Sequence, residues 1–88
     1  LIVGEAPAEQ LERWGLSGGV QVREVVPGSP AAEAGVMAGD IITLIGNSPV
    51  KSVDAFADAT EKLRGGSSVP LRLMRRGSPM FIGLKLAD

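Results

Sequence analysis

The stretch Pro27–Asp40 reads PGSPAAEAGVMAGD, and it leads directly into the apolar run Ile41–Ile45, IITLI. The Pro-Gly pair at its start is expected to end a strand, because proline cannot donate a ladder hydrogen bond and glycine accepts a positive φ. The Ser-Pro pair that follows is typical of a helix N-cap and first helical position, so residues 31–34 are predicted to form one short helical turn that Gly35 ends. The turn is too short to be stable alone, so its small alanines are predicted to pack against a sheet, and the apolar run is predicted to be a buried strand.

The residues before this stretch show three further patterns. Leu1–Val3 is predicted to be a short apolar strand, and Ala8–Trp14 is predicted to be a helix of about two turns. The Gly18–Gly19 pair is typical of a turn, and the apolar and polar residues of Val20–Val26 alternate as in a strand.

The residues after the central stretch complete a mainly β chain. The predicted elements are, in order, a turn at 46–49 with a brief return strand at Val50, a helix over Val53–Arg64 with Ser52 as N-cap, a strand over 69–74, a turn at 75–79 and an antiparallel strand over 80–86. Only one segment is long enough for a crossover helix. An α+β, mainly β fold is therefore expected, with five or six short strands in a partly open antiparallel barrel capped by two helices.

Length and composition limit the number of domains and exclude several classes of functional site. The chain has 88 residues, which predicts a single domain over 1–88. Nine basic and ten acidic residues give a net charge of −1, which argues against a nucleic-acid partner or a polybasic membrane surface. Cysteine and histidine are absent, which excludes thiol, Ser-His-Asp and zinc-thiolate sites within these residues, and no cofactor is predicted. No segment reaches the ~18 apolar residues of a membrane span, and the strand at the first residues predicts a domain excised from a larger protein.

Several polar residues have a chemical and a structural interpretation. Asp40 could be an acid or metal ligand, but its position after glycine at a strand start favours a turn hydrogen bond. Asp54 and Asp58 could hold a cation, but without a third ligand they are expected to form a solvated helix face. Arg75–Arg76 is expected to be an exposed hairpin turn, the serines have no base to activate them, and Trp14 is expected to anchor the core.

Two segments resemble a known family. Residues 19–56, GVQVREVVPGSPAAEAGVMAGDIITLIGNSPVKSVDAF, resemble the central block of a PDZ domain. Residues 1–20, LIVGEAPAEQLERWGLSGGV, resemble the start of the PDZ domains of HtrA/Deg (DegP/DegQ-like) serine proteases, and the short helix resembles the second PDZ domain of such a protease more than the first. PDZ domains of site-2 metalloproteases, carboxy-terminal processing proteases and secretion proteins remain alternatives.

The resemblance implies a PDZ fold in the bacterial, permuted strand order and a peptide groove. An extended peptide would add a strand to an open sheet edge opposite a helix. By this resemblance the peptide-binding residues are Leu1, Ile2 and Val3 on the edge strand and Val53, Ala57 and Thr60 on the helix. Phe56, Ala59 and Leu63 would then face the core. The family's carboxylate-binding loop reads apolar-Gly-apolar, and only its last position, Leu1, is matched here.

The resemblance also implies partners and a location. The expected partners are peptides or unfolded segments with apolar ends, together with neighbouring protease and PDZ domains, in the periplasm. The chain itself is expected to be non-catalytic, with a trypsin-like serine endopeptidase domain elsewhere in the parent protein. The alternative is a structural or oligomerisation PDZ domain whose groove is idle.

Overall fold

A computed structural model describes residues 2–63 and 65–85. Six strands and three helices follow one another in these ranges. They are β1 (Ile2–Glu5), α1 (Ala8–Arg13), β2 (Val20–Glu24), α2 (Pro30–Ala34), β3 (Ile41–Ile45), β4 (Ser48–Pro49), α3 (Val53–Glu61), β5 (Ser68–Arg75) and β6 (Ser78–Lys85).

The strands form one antiparallel sheet that does not close on itself. Its order is β1-β2-β3-β5-β6, with β4 paired to β3 beside this path. The first and last strands in the chain therefore lie at opposite ends of the sheet. This arrangement confirms the predicted α+β, mainly β fold with a partly open antiparallel sheet. The short helical turn α2 is a third helix beside the two that were counted as caps.

The central stretch folds as its residues predict. The Ser29 hydroxyl accepts a hydrogen bond from the Ala32 amide at 3.3 Å, which makes it the N-cap of α2. Gly35 ends the helix in the left-handed region, with φ of 95°. Ala31 is buried, and α2 packs against β6. A helix of five residues is thus held by contact with the sheet.

The core lies between the sheet and the helices and consists almost entirely of aliphatic side chains. Strand alternation turns the apolar residues of β2 and β5 inward, and β3 is buried at both of its ends. The residues with the smallest exposure are Val20, Val22, Ile41, Ile42, Val50 and Leu73.

Three predicted boundaries are wrong. Strand β2 ends at Glu24 rather than Val26, because the chain leaves the ladder before the Pro-Gly pair. The return strand is Ser48–Pro49, whereas Val50 is a buried residue whose amide bonds to the Thr43 carbonyl at 2.9 Å. Helix α3 ends at Glu61, and the predicted helix residue Arg64 lies outside the described residues.

The predicted turn at Gly18–Gly19 is also wrong. Both glycines are buried and neither lies in a turn. A Cβ atom on Gly18 would lie 2.9 Å from the Lys51 Cβ, and one on Gly19 would lie 2.7 Å from the Ile41 Cγ2. These glycines permit close packing of neighbouring segments rather than a reversal of the chain.

Candidate functional site

Strand β1 and helix α3 together border an open edge of the sheet. Strand β1 pairs with β2 along one side, and within residues 2–63 and 65–85 no strand pairs with its other side. Helix α3 contacts β1. An unpaired strand edge beside a helix can accept an extended peptide as a further strand.

The structure places five of the six predicted peptide-binding residues on these two elements. Ile2 on β1 is 52% exposed, whereas Val3 is half-buried against the core. On α3, Val53 is half-buried and packs against the core, and Ala57 is exposed. Thr60 is half-buried, and its hydroxyl donates to the Ala57 carbonyl at 2.9 Å. The sixth residue, Leu1, lies outside the described residues.

The opposite side of α3 faces the core. Ala59 is buried, and Phe56 and Leu63 are half-buried against the core cluster. Phe56 and Ala59 are three residues apart and share one stripe of α3, and Leu63 lies two residues beyond the end of the helix. Ala57, four residues after Val53 and three before Thr60, belongs to an adjacent stripe.

Two contacts fix the start of α3. The Ser52 hydroxyl accepts a hydrogen bond from the Ala55 amide at 3.1 Å, as expected for the predicted N-cap. Immediately before it, Lys51 lies against Gly18, where a larger residue would collide with its backbone. The helix wall is therefore positioned at its first turn by the segment that precedes β2.

Arg23 lies beside the open edge strand, and sequence reasoning did not identify it. Its guanidinium occupies the space where a Gly4 side chain would be, because a Cβ there would lie 2.7 Å from the Arg23 Nε. The Nη2 atom donates to the Glu5 carbonyl at 3.1 Å. Arg23 is the residue that the register skips between Val22 and Glu24, the partners of Val3 and Ile2, and nothing in the sequence indicated this irregularity.

Asp40 is the buried carboxylate of the chain's central stretch, and it serves the fold. Its Oδ2 accepts a hydrogen bond from the Met37 amide at 2.9 Å, as its position after Gly39 predicts. Arg75 donates from Nε to Oδ1 at 2.9 Å and from Nη2 to Oδ2 at 2.7 Å. The Nη2 atom also donates to the Gly35 carbonyl at 2.8 Å. A carboxylate with both oxygens bound in this way is a structural group.

The expectation that Arg75 belongs to an exposed turn is therefore wrong. Arg75 is the last residue of β5, and its side chain is 25% exposed. The hydrogen bonds to Asp40 raise the pKa of the Arg75 guanidinium above its ordinary value, and the adjacent negative charge adds to this against the opposing effect of burial. The turn itself consists of Arg76 and Gly77, which have φ of 52° and 80°.

The described residues contain neither a cluster of metal ligands nor a helix that could cross a membrane. In residues 2–63 and 65–85, no three acidic or other metal-ligating side chains are grouped closely enough to hold an ion. The helices in these ranges are all too short or too polar to cross a membrane.

Curated relatives match 98–100% of the length of this chain. A family model described as PDZ domain matches residues 7–86. A protein named "Probable periplasmic serine endoprotease DegP-like" from Marinomonas sp. (strain MWYL1) is 39% identical over 88 residues, which are 100% of this chain and 19% of that protein. A protein of the same name from Hahella chejuensis (strain KCTC 2396) is 43% identical over 86 residues, which are 98% of this chain and 18% of that protein. The chain thus spans about a fifth of the length of these relatives.

Solved structures share the fold. An HtrA-type protease, AlgW, solved with a decapeptide, has a TM-score of 0.80 at 23% identity, covering 99% of this chain and 27% of that one. The HtrA3 PDZ domain bound to a phage-derived ligand, FGRWV, has a TM-score of 0.78 at 21% identity, covering 97% and 79% of the two chains. A serine endoprotease from Yersinia pestis has a TM-score of 0.72 at 31% identity, covering 90% and 32%.

The geometry and the comparisons agree on one assignment. The family model covers all elements from α1 to β6, and the solved structures that share this fold include an isolated PDZ domain. The chain belongs to the PDZ domain family.

Proposed function

We propose that this domain is a non-catalytic peptide-binding module that takes up apolar C-terminal or extended peptide segments between β1 and α3. Two features of the described residues carry the proposal: β1 pairs with a strand on one side only, and β1 is in contact with α3. A peptide there forms main-chain hydrogen bonds with β1, which supply affinity, while side-chain pockets supply selectivity.

The groove residues have distinct roles in this proposal. Ile2 borders the pocket for the peptide's terminal apolar side chain, and Val3 continues the pairing edge. The family resemblance assigns Leu1 to the same pocket, and Leu1 lies outside the described residues. Val53, Ala57 and Thr60 form the opposite wall. A wall of aliphatic side chains favours apolar peptide residues. Position 53 is valine. A histidine there could hydrogen-bond a hydroxyl on the third-last peptide residue, and valine cannot, so the groove does not select a hydroxyl at that peptide position.

The comparisons support the same class of ligand. The HtrA-type protease and the HtrA3 PDZ domain, both of this fold, were solved with peptides. We further propose that the parent protein is a periplasmic HtrA/Deg-type serine endoprotease, in which this domain recognises substrates or regulates the protease. The names of the curated relatives support this assignment.

A structural role is the second candidate, and one observation favours it. Phe81 is 74% exposed on β6, at the end of the sheet opposite β1. A large apolar side chain in this position suits contact with a neighbouring protease or PDZ domain. In that case the groove is idle.

A heteronuclear NMR titration with a peptide ending in a free-carboxylate valine tests the proposal. We expect shifts concentrated on Ile2, Val3 and the exposed side of α3 at about millimolar peptide, because a short peptide buries well under the ~1,200 Å² of a stable interface. Loss of these shifts on amidation of the peptide terminus would identify a carboxylate-reading groove. Shifts retained after amidation would indicate an extended-segment reader, and the absence of any shift would favour the structural role.

Two glutamine substitutions on α3 provide a matched comparison. Ala57→Gln places a longer side chain on the groove wall, and we expect it to weaken peptide binding roughly tenfold, a loss of about 1.4 kcal/mol. Asp58→Gln introduces the same residue at the adjacent exposed position and should leave binding unchanged. Equal affinities of the two variants would contradict the placement of the groove at Ala57.

A further inference from the structure

A second concave surface lies away from the groove. It is a cleft of about 520 Å³ formed by α1, the loop before β3 and the turn between β5 and β6. Its lining includes Gln10, Trp14, Met37, Asp40, Arg75 and Arg76. None of these residues belongs to β1 or α3, so the cleft and the groove are separate surfaces.

The walls of the cleft are held in place. The Trp14 indole lies over the β5–β6 turn, where a Cβ on Gly77 would be 3.2 Å from its Nε1. The Gln21 amide on β2 donates to the Gln10 side chain at 3.4 Å, which ties α1 to the sheet. Arg75 joins the end of β5 to the loop before β3 through its bonds to Asp40 and Gly35. The cleft is therefore formed before any ligand arrives.

Apolar surface and positive charge meet in the cleft. Met37 is 56% exposed, and its flexible thioether side chain lines the same cleft as the half-buried Trp14 indole. The Asp40 carboxylate already accepts three hydrogen bonds, two of them from Arg75, so that pair is internally balanced. Arg76 is exposed and has no ion pair within residues 2–63 and 65–85. The cleft thus carries an unbalanced cation on a chain whose net charge is −1.

We propose that this cleft binds a linear segment of a partner protein in which an apolar residue lies next to a carboxylate. The apolar side chain packs between Trp14 and Met37, and the carboxylate pairs with Arg76. A guanidinium recognises a carboxylate through two parallel hydrogen bonds, which gives orientation as well as charge selectivity. The site acts independently of the groove, so both can be occupied at once.

Trp14 allows binding at this cleft to be observed directly. It is the single tryptophan, and the chain has no tyrosine, so its fluorescence and its indole N–H resonance report on the cleft and not on the groove. The probe is a capped peptide, acetyl-Gly-Leu-Glu-Leu-Asp-Gly-amide, compared with the same peptide carrying lysine in place of both acidic residues. We expect a saturable Trp14 response with the acidic peptide, at least about fivefold weaker with the lysine peptide and reduced by added salt.

Three variants identify the contributing residues. Arg76→Glu should abolish the preference for the acidic peptide, whereas Arg72→Glu, an exposed arginine of β5 that does not line this cleft, should retain it. Met37→Gln, at an exposed position, should weaken the binding of the acidic peptide without changing the charge. Dispersed amide spectra establish that each variant is folded.

Several outcomes would overturn the proposal. These are equal responses to the two peptides, identical behaviour of Arg76→Glu and Arg72→Glu, and shifts confined to Ile2, Val3 and α3 with an unchanged Trp14 signal. A matching Trp14 response to inorganic phosphate alone at the same concentration would also overturn it, because it would identify a simple anion site.

Discussion

Gly19 shows how a single missing side chain sets the distance between two segments. A Cβ on this residue would lie 2.7 Å from the Ile41 Cγ2 and 3.1 Å from the Ile42 carbonyl oxygen. Both neighbours are in the fully buried part of β3, so they have little room to move. We expect Gly19→Ala to lower the free energy of unfolding by about 1–3 kcal/mol through overpacking.

Gly83 is the matched control for this substitution. It also lies beside the sheet's core strands, yet a Cβ on it would meet no heavy atom within 4 Å. Gly83→Ala should therefore change stability by less than about 0.5 kcal/mol, measured by urea denaturation alongside Gly19→Ala. If both variants lost the same stability, the close approach at Gly19 would not be the cause.

At the scale of elements, α3 depends on its N-cap for its first turn. The Ser52 hydroxyl accepts the Ala55 amide hydrogen bond, and Val53 of the proposed groove wall is the next residue. We expect Ser52→Ala to cost about 1 kcal/mol of unfolding free energy and to weaken peptide binding, because the helix start frays. Ser17→Ala, at an exposed serine outside the helices, is the control and should change neither quantity. A stable Ser52→Ala domain with unaltered binding would contradict the role of the cap.

Elements with strong local signals were the predictable part of this fold. The Ser-Pro start of α2, the Ser52 cap and the alternation of β5 lie in the sequence itself, and the structure contains each of them. The sequence cannot distinguish the Gly18–Gly19 pair from a turn, because a glycine pair at a turn and one at a close contact have the same sequence pattern. Strand β4 is Ser48–Pro49 rather than Val50, because Val50 is an apolar residue that packs in the core without joining the ladder.

At the scale of the whole molecule, the Asp40–Arg75 pair joins residues 35 positions apart. The Asp40 side chain is 3% exposed, and the Arg75 side chain is 25% exposed. Arg75→Met would leave the carboxylate buried without its cationic partner, and we expect a loss of about 3 kcal/mol, the lower end of the 3–5 kcal/mol typical of breaking a buried pair. In Asp40→Asn/Arg75→Met the loss should be smaller than the sum of the single losses, and additivity would show that the two side chains are not coupled.

The pH dependence of this pair follows from the raised Arg75 pKa. A cation whose pKa is higher in the folded state contributes its full stabilisation below the ordinary arginine pKa, and loses it only as the pH rises through the folded-state value. The stability difference between the native protein and Arg75→Met should therefore stay constant between about pH 7 and pH 9. Urea denaturation of both proteins at several pH values in this range measures the difference in unfolding free energy.

Only one of the two partners of Asp40 could be predicted from the sequence. The hydrogen bond from the Met37 amide to the Asp40 carboxylate spans three residues, so it is local and could be predicted from the sequence. The partner from β5 could not, because which cation reaches Asp40 depends on how β3 and β5 pair in the sheet. The proposed groove residues come from the family resemblance, whereas the cleft forms only when three separate segments bring together Trp14, Met37 and Arg76.

The long hairpin of β5 and β6 has a consequence for the order of folding. Its eight residue pairs meet across a two-residue turn, so their contacts are among the most local in the sheet. Strand β3, by contrast, pairs with β5 only after the chain has closed a loop that contains β4 and α3. Closing a longer loop costs more entropy, so the hairpin is expected to form early and the pairing of β3 with β5 to form late. Helix α3, one wall of the proposed peptide groove, lies inside that loop, so the surface proposed to receive peptides is completed only when the two parts of the sheet join.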